Sequence, residues 1–446
     1  MKRVDIHFHP AQFLAVSFAA VILIGTILLW LPFSTQSGHI TFADALFTST
    51  SAVCVTGLIV KDTAVYFSPV GQTIIMILFQ LGGLGIMTFS TLILMVAGKK
   101  ISIQERITVQ EEFHYSAPKN FKSLIKYIFI YAIVIESAGT LALFLCWHDK
   151  FTGGRVLFNS VFHAVSAFCN AGFSVFSDSF VSFGHDIWVN IIVMLLIILG
   201  GLGFLVLHEL KITLSSRLRK KRRVLSLHSK LILAITPVLI GGAGVLFMAI
   251  EWGKSLRLLP VKDKILMSLF QVVTARTAGF NTMDLGALSL ASVFLMIVLM
   301  FIGASSGSTG GGVKTSTVGV ILAFLRSRLR ARDSISLFYR SLPRELIIKA
   351  FTVVTLAIVV ITLSSFVLLL AHPEAALEEV IFETFSAFGT VGLSLGLTPR
   401  LGLIGKFVII LTMYIGRIGP LTFLYAFSRQ RSFGKYTYVE ESVMIG

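Results

Sequence analysis

Four short segments of the chain share a pattern of aromatic, hydroxyl and small residues that ends on a glycine. The first reads Phe47-Thr-Ser-Thr-Ser-Ala-Val-Cys-Val-Thr-Gly57, the second Phe162-His-Ala-Val-Ser-Ala-Phe-Cys-Asn-Ala-Gly172. The fourth, Phe382-Glu-Thr-Phe-Ser-Ala-Phe-Gly-Thr-Val-Gly392, keeps the same spacing of Phe, Ser-Ala and Gly. The third, Phe270-Gln-Val-Val-Thr-Ala-Arg-Thr-Ala-Gly279, is one residue shorter. Glycine at such a loop lets the backbone take angles that a Cβ penalises, so that successive carbonyls can point one way. A ring of carbonyls replaces the hydration shell of a bare cation. Neutral dipoles suit a monovalent ion such as K⁺; a divalent ion would call for a carboxylate at the ring, and none stands there. The candidate ring residues are Val55, Thr56 and Gly57; Asn170, Ala171 and Gly172; Thr277, Ala278 and Gly279; and Thr390, Val391 and Gly392. Close helix packing is the rival explanation for any one glycine, and the weaker one. Four registered copies favour the ring.

These loops need elements that hold them at membrane depth, where non-helical backbone is tolerated only inside protein or beside a water-filled path. Of the 446 residues 55% are hydrophobic and 13% charged, about half the ~25% charged content of a soluble domain. Eight stretches are long and apolar enough to span: 11–33, 70–97, 122–147, 186–208, 228–252, 287–323 with an interruption, 345–371 and 403–428. They pair around the four short segments. The expected fold is therefore an all-α polytopic membrane protein built from four helix–pore loop–helix repeats, with eight transmembrane helices and four re-entrant pore helices around a central pseudo-fourfold pore. Repeat boundaries are expected at 1–97, 98–208, 209–330 and 331–446. The second helix of each repeat carries a further motif: Gly82-Gly-Leu-Gly85, Gly200-Gly-Leu-Gly203, Gly416-Arg-Ile-Gly419 and, in the third, Gly303-Ala-Ser-Ser306. The first apolar run is too long for a signal h-region and lacks a small-residue cleavage site, so no cleavable signal is expected.

The net charge of +16 points to topology rather than to nucleic acid, since most of the 38 Lys and Arg residues cluster at the N-terminus, 98–126, 209–230, 326–349 and the C-terminal tail. The positive-inside rule then places both termini in the cytoplasm. The basic segments 209–230 and 326–349 suit either a docking partner or anionic membrane lipid. Asp44, Asp178 and Asp284 near the outer mouth raise the local cation concentration if exposed, or are ordinary loop charges. Three cysteines cannot form a disulfide framework.

The sixth apolar stretch is interrupted by Gly303-Ala-Ser-Ser-Gly-Ser-Thr-Gly-Gly-Gly312, then Val313 and Lys314. Each glycine disfavours helix by about 1 kcal/mol relative to Ala, so an unwound segment is expected here, on the cytoplasmic side of the ring. Gly303, Ser305, Gly307, Gly310, Gly311, Gly312 and Lys314 are its candidate gating residues. A phosphate-loop reading fails because Val313 intrudes before the lysine and no soluble strand precedes the tract. Arg417 is a charge at membrane depth, a functional candidate by default. It is placed to hydrogen-bond the glycine tract and to slow conduction, or else to serve as a helix-end partner. Glu136 is a coupling carboxylate or, more simply, pairs with a polar neighbour. Arg276 is expected to brace the third loop from behind. His163 and Asn170 are expected to hydrogen-bond locally, and Cys54 and Cys169 to be small packing residues. No nucleophile–base arrangement or metal-ligand spacing stands out, so an enzyme is the weakest reading. A coupled carrier is the stronger rival to a pore.

The chain resembles the Trk/Ktr/HKT superfamily of cation transporters, most closely its bacterial Ktr-type membrane subunits. The resemblance rests on Thr277-Ala-Gly-Phe-Asn281, on the fourth loop through Gly392, and on Tyr414-Ile-Gly-Arg-Ile-Gly-Pro-Leu-Thr422. It implies that Gly57, Gly172, Gly279 and Gly392 are selectivity-filter glycines, and glycine rather than serine at position 57 implies K⁺. It implies that the tract after Gly303 is a mobile intramembrane loop obstructing the pore, with Arg417 beside it. K⁺ is then the transported ion, Na⁺ an activator or co-ion, and no nucleotide binds this chain. A homodimer is implied in which each protomer keeps its own pore and the C-terminal tail lies near the contact. A cytosolic RCK/KTN-type ring that senses ATP and ADP is the implied regulator, and the bacterial cytoplasmic membrane the implied location.

Overall fold

The structure, a computed structural model, describes residues 10–86, 88, 91, 121–218, 224–332 and 334–427. The N-terminus, most of the basic segment 98–126, part of 209–230 and the C-terminal tail lie outside the described residues. The helices are α1 (Pro10–Trp30), α2 (Phe42–Val53), α3 (Thr63–Tyr66), α4 (Pro69–Leu84), α5 (Phe121–Trp147), α6 (Gly154–Cys169), α7 (Ile187–Leu202) and α8 (Phe204–Leu218). There follow α9 (Leu227–Glu251), α10 (Val261–Thr274), α11 (Leu290–Phe301), α12 (Thr315–Leu329), a small hairpin of β1 (Ser336–Leu337) and β2 (Arg340–Ser341), α13 (Arg344–Ala371), α14 (Leu377–Gly389), α15 (Leu403–Ile418) and α16 (Pro420–Phe427).

Local chemistry sets the helix starts. Thr41 caps α2 by accepting from the Asp44 N–H at 3.2 Å. Ser68, followed by Pro69, caps α4 through the Gly71 N–H at 3.1 Å. Asp186 caps α7 through the Trp188 and Val189 N–H groups. Each leaves fewer orphan donors at a helix end.

Among the described residues four helices, Ala11–Trp30, Ile125–Trp147, Leu227–Glu251 and Arg344–Ala371, are long and apolar enough to cross a membrane. Large apolar side chains face outward along them, among them Leu23 (52% exposed), Leu141 (61%) and Leu363 (60%). In a water-soluble fold so much exposed apolar surface would drive association; in a bilayer it is the solvated face. The chain is a multi-pass membrane protein.

The expected second spanning helices are not continuous. The stretch 186–208 divides at Gly203 into α7 and α8, bent by 99°, and 403–428 divides at Gly419 into α15 and α16, bent by 98°. Gly85, Gly203 and Gly419 stand at φ 89°, 93° and 94°, where a helix cannot continue and only glycine is comfortable. The third copy breaks at Ile302 and resumes at Thr315. Interruption was expected there alone.

Packing runs in a cycle. The helix after each loop packs against the next short helix: α4 on α6, α7 on α10, α11 on α14, and α15 back on α2. Two hydrogen bonds across the seam tie the chain's ends, from Gln12 Nε2 to the Ala426 carbonyl (3.0 Å) and from the Tyr414 hydroxyl to the Ala15 carbonyl (2.6 Å). A nearly buried ion pair, Lys406 Nζ to Asp44 Oδ1 at 2.6 Å, joins α15 to the first turn of α2. Asp44 is therefore neutralised by a partner and is not an open attractor for cations.

Candidate cation site

The helices α2, α6, α10 and α14 each end in a turn with two left-handed residues spaced two apart. The pairs are Val55 (φ 57°) and Gly57 (89°), Asn170 (58°) and Gly172 (71°), Thr277 (84°) and Gly279 (82°), and Thr390 (51°) and Gly392 (91°). In an extended chain carbonyls alternate sides; moving every second residue into the left-handed region turns them to one side. Val and Thr rarely accept this conformation, and each such residue stores about 1–3 kcal/mol that the surroundings must hold.

A Cβ on Gly57 would lie 2.5 Å from the Ala171 carbonyl oxygen, and one on Gly172 2.8 Å from that of Ala278. On Gly279 and Gly392 it would strike the carbonyls of Val391 and Thr56. The contacts thus run 57 to 171, 172 to 278, 279 to 391 and 392 back to 56. All twelve sequence-predicted ring residues lie in these four turns, and the turns close on one another.

Hydroxyl residues behind the loops fix the peptide planes. Thr56 N–H donates to the Ser51 carbonyl (2.8 Å) and Gly57 N–H to Ser51 Oγ (3.1 Å). Ser386 does the same for Val391 (2.8 Å) and Gly392 (3.1 Å). Ala171 N–H donates to the Ser166 carbonyl (2.8 Å), while Ser166 Oγ donates to the Phe173 carbonyl (2.8 Å). In the third loop only the backbone serves: the Thr274 carbonyl accepts from Ala278 N–H at 2.9 Å, and the Thr274 hydroxyl has no partner among the described residues. With their N–H groups bonded to the helix behind, the loop carbonyls are left toward the ring. The Ser of the repeated Ser-Ala pair was visible in the sequence, but its task as a clamp was not.

The segment 302–314 lies against the turns of the third and fourth loops. Gly311 N–H donates to Thr390 Oγ at 3.0 Å, and a Cβ on Gly310 would overlap Thr277 Oγ. The segment also fills the break between α7 and α8: Ser305 N–H donates to the Gly201 carbonyl (3.0 Å), Phe204 N–H to that of Gly307 (2.9 Å), and Thr309 Oγ to that of Phe168 (3.2 Å). Its two ends meet where Gly303 N–H donates to the Val313 carbonyl at 2.9 Å. Arg417 donates to the carbonyls of Thr309 and Gly82, bridging this segment to the end of α4. Lys314 Nζ donates to the Gly310 carbonyl at 2.6 Å. Between them lies a cavity of about 30 Å³ touched by Gly83, Gly85, Gly307, Lys314 and Arg417. That is room for about one water.

A model of the family described as TrkH, cation transport protein, matches residues 5–436. The chain belongs to the TrkH family of cation transport proteins. Like its family it is a transporter and not an enzyme. The Ktr system potassium uptake protein B of Bacillus subtilis (strain 168) is 42% identical over 95% of this chain and 94% of its own length. The potassium/sodium uptake protein NtpJ of Enterococcus hirae is 40% identical over 100% of this chain and 99% of its own. The crystal structure of the potassium transporter TrkH from Vibrio parahaemolyticus is similar with a TM-score of 0.74 and 18% identity, covering 96% of this chain and 87% of that one. The TrkH-like fold follows from that likeness.

In this TrkH-family chain the first glycine of three of the four second-helix motifs lets helices touch. A Cβ on Gly82, Gly200 or Gly416 would overlap the carbonyl of Val53, Phe168 or Phe388, each four residues before a ring glycine. Arg417 occupies the position of Gly83 and Gly201, so the fourth copy places a charged side chain against the 302–314 segment where two other copies have glycine.

The remaining singled-out residues are local. Glu136 accepts from Gln80 Nε2 at 2.9 and 3.1 Å, and Cys169 Sγ lies 3.0 Å from Gln80 Oε1. His163 is bonded through Nδ1 to the Asn159 carbonyl (2.8 Å) and through Nε2 to Ser174 Oγ (2.9 Å). Asn170 bonds both locally and across to the next loop: its amide nitrogen donates to the Ala167 carbonyl (3.0 Å) and its amide oxygen accepts from Thr277 Oγ (3.3 Å). Arg276 is buried beside Thr277, and its Nε has no hydrogen-bond partner among the described residues. Cys54 is buried. Asp178 accepts from Ser182 (N–H, 2.8 Å, and hydroxyl), and Asp284 from the Gly286 N–H (2.9 Å).

Proposed function

We propose that the chain takes up K⁺ through the ring of residues 55–57, 170–172, 277–279 and 390–392. The observation that carries this is the cyclic approach of the four glycines, each to the carbonyl before the next. Carbonyl dipoles without fixed charge match a weakly hydrated monovalent cation, and the potassium uptake named for the relatives supports that ion. The segment 302–314 is the gate on the inner side. Arg417 and Lys314 hold it by its carbonyls, and a cavity of about 30 Å³ beside it is too small for a hydrated ion, which fits a closed state. Around this path the chain forms four units, 1–97, 98–208, 209–330 and 331–446, with eight spanning segments and four pore helices, both termini in the bacterial cytoplasm. A homodimer regulated by a cytosolic RCK/KTN-type nucleotide-binding ring completes the proposal.

The test is K⁺ uptake into K⁺-depleted cells that lack their own transporters. Wild type restores growth at low K⁺, and Gly57→Ser or Gly392→Ser lowers K⁺/Na⁺ preference or abolishes uptake. Unchanged affinity and preference in both variants would remove the ring from the permeation path.

A second reading, a carrier that couples or admits Na⁺, draws on the potassium/sodium uptake named for the E. hirae relative. It predicts K⁺ uptake that falls when Na⁺ is withdrawn, together with Na⁺ influx.

A further inference from the structure

Outside the ion path a cleft of about 860 Å³ lies between α12, the β1–β2 hairpin and the first turns of α13. Its walls are apolar: Phe324 and Phe351 meet edge to face at 5.3 Å, and Ile347 lies beside them. Arg328 and Arg344 stand at its polar end, and neither has an acidic partner among the described residues. Arg328 lies over the Phe324 ring at 5.6 Å, which holds its guanidinium at the cleft. Arg344 opens a 28-residue helix whose N-cap, Pro343, offers no side-chain acceptor, so the helix dipole adds positive potential at the same point.

Two observations fix the occupant. Residues 326–349 contain seven basic and two acidic side chains, so it is an anion. Leu322, Leu325 and Ile348 are 47–59% exposed around the cleft, continuing its apolar lining onto the outward apolar surface of the protein. A cleft that is charged at one end and opens sideways onto hydrocarbon matches a molecule with an anionic head and an acyl tail. We propose that this cleft binds one anionic phospholipid, its phosphate at Arg328 and Arg344 and an acyl chain along Phe324, Ile347 and Phe351. Basic pockets between helices at the membrane surface hold such headgroups. The site rests on the membrane assignment; the inner leaflet follows from the orientation proposed above. Occupancy would set the spacing of α12 against α13, and α12 leads directly into the segment 302–314.

Native mass spectrometry of the full chain in detergent, titrated with dioleoylphosphatidylglycerol and separately with dioleoylphosphatidylcholine, tests this without reference to transport. Wild type is expected to retain the phosphatidylglycerol in preference to the phosphatidylcholine. Arg328→Ala/Arg344→Ala weakens phosphatidylglycerol binding on the order of tenfold or more, since each basic side chain near a lipid surface contributes a few-fold. Arg330→Ala/Arg332→Ala, which removes the same charge outside the cleft, stays within about threefold. Thr355→Trp, which fills the cleft and keeps both arginines, also loses the lipid. Equal loss in the two double variants, equal retention of the two lipids by wild type, or full binding by Thr355→Trp would each overturn the proposal. Equal retention would mark the cleft as a seat for something other than an anionic lipid, such as a protein segment. Because the readout is bound mass, a failure of the K⁺ reading leaves this test intact.

Discussion

Arg417 offers the sharpest test of how the inner segment is held. Its guanidinium donates to the Thr309 carbonyl on the segment and to the Gly82 carbonyl at the end of α4. Hydrogen bonds from a charged donor contribute about 1.5–3 kcal/mol each. If opening the gate breaks only the bond to Thr309, Arg417→Ala shifts the closed-to-open ratio by about 1.5 kcal/mol, roughly tenfold. If both bonds break, about 3 kcal/mol are lost, a shift of more than a hundredfold. Removal of a positive charge beside the cation path acts in the same direction. The assay is K⁺ flux into proteoliposomes containing the chain alone under a fixed K⁺ gradient. Arg417→Ala is expected to raise flux by about tenfold if one bond breaks and by more than about a hundredfold if both do. Arg417→Lys keeps the charge with one fewer fork of donors and is expected to fall between wild type and Ala. An Arg417→Ala protein that melts within a few degrees of wild type and conducts no faster would refute the reasoning, because the segment would then be held by something else.

Three further outcomes follow from the same geometry. Ser51→Ala and Ser386→Ala remove the acceptors for Gly57 and Gly392 N–H at about 1 kcal/mol each, so K⁺/Na⁺ selectivity measured by competitive uptake should fall several-fold with little loss of fold. Gly82→Ala and Gly416→Ala drive a methyl into the Val53 and Phe388 carbonyls and should lower the melting temperature markedly; Gly241→Ala, with nothing within 4 Å of its added carbon, should be neutral. Asp44→Asn leaves Lys406 without its carboxylate in a mostly buried setting and should destabilise by about 3 kcal/mol or more. The double variant Asp44→Leu/Lys406→Leu should recover much of that loss in thermal unfolding, and full additivity of the two single changes would argue that the pair is not coupled.

The linear chain shows a good deal of this protein. Its apolar content and its runs of about 20 apolar residues require a bilayer, because no other solvent tolerates that surface. The recurrence of Phe, Ser-Ala and Gly in three segments, with Thr-Ala and one residue fewer in the other, marks the loops, since only a repeated backbone task keeps small residues in register. Ten residues with five glycines between Gly303 and Gly312 cannot favour helix, so the interruption there was legible. A lone charge in an apolar helix singled out Arg417. These are local properties, written in composition and spacing.

What remained hidden depends on partners distant in sequence. The breaks at Gly85, Gly203 and Gly419 were not legible as breaks, because one glycine weakens a helix by only about 1 kcal/mol. Each helix stops there once its neighbours are in place, and in the second copy the 302–314 segment supplies the replacement bonds, with Phe204 N–H donating to the Gly307 carbonyl. Asp44 read equally as an outer attractor or an ordinary loop charge; its partner, Lys406, lies 362 residues away. The ring exists only because the helix after each loop packs on the next short helix and α15 returns to α2. Four glycines with the right spacing can state that a carbonyl is free to turn. Which carbonyl each one meets is decided by closure of the cycle, a geometric condition that no single repeat contains.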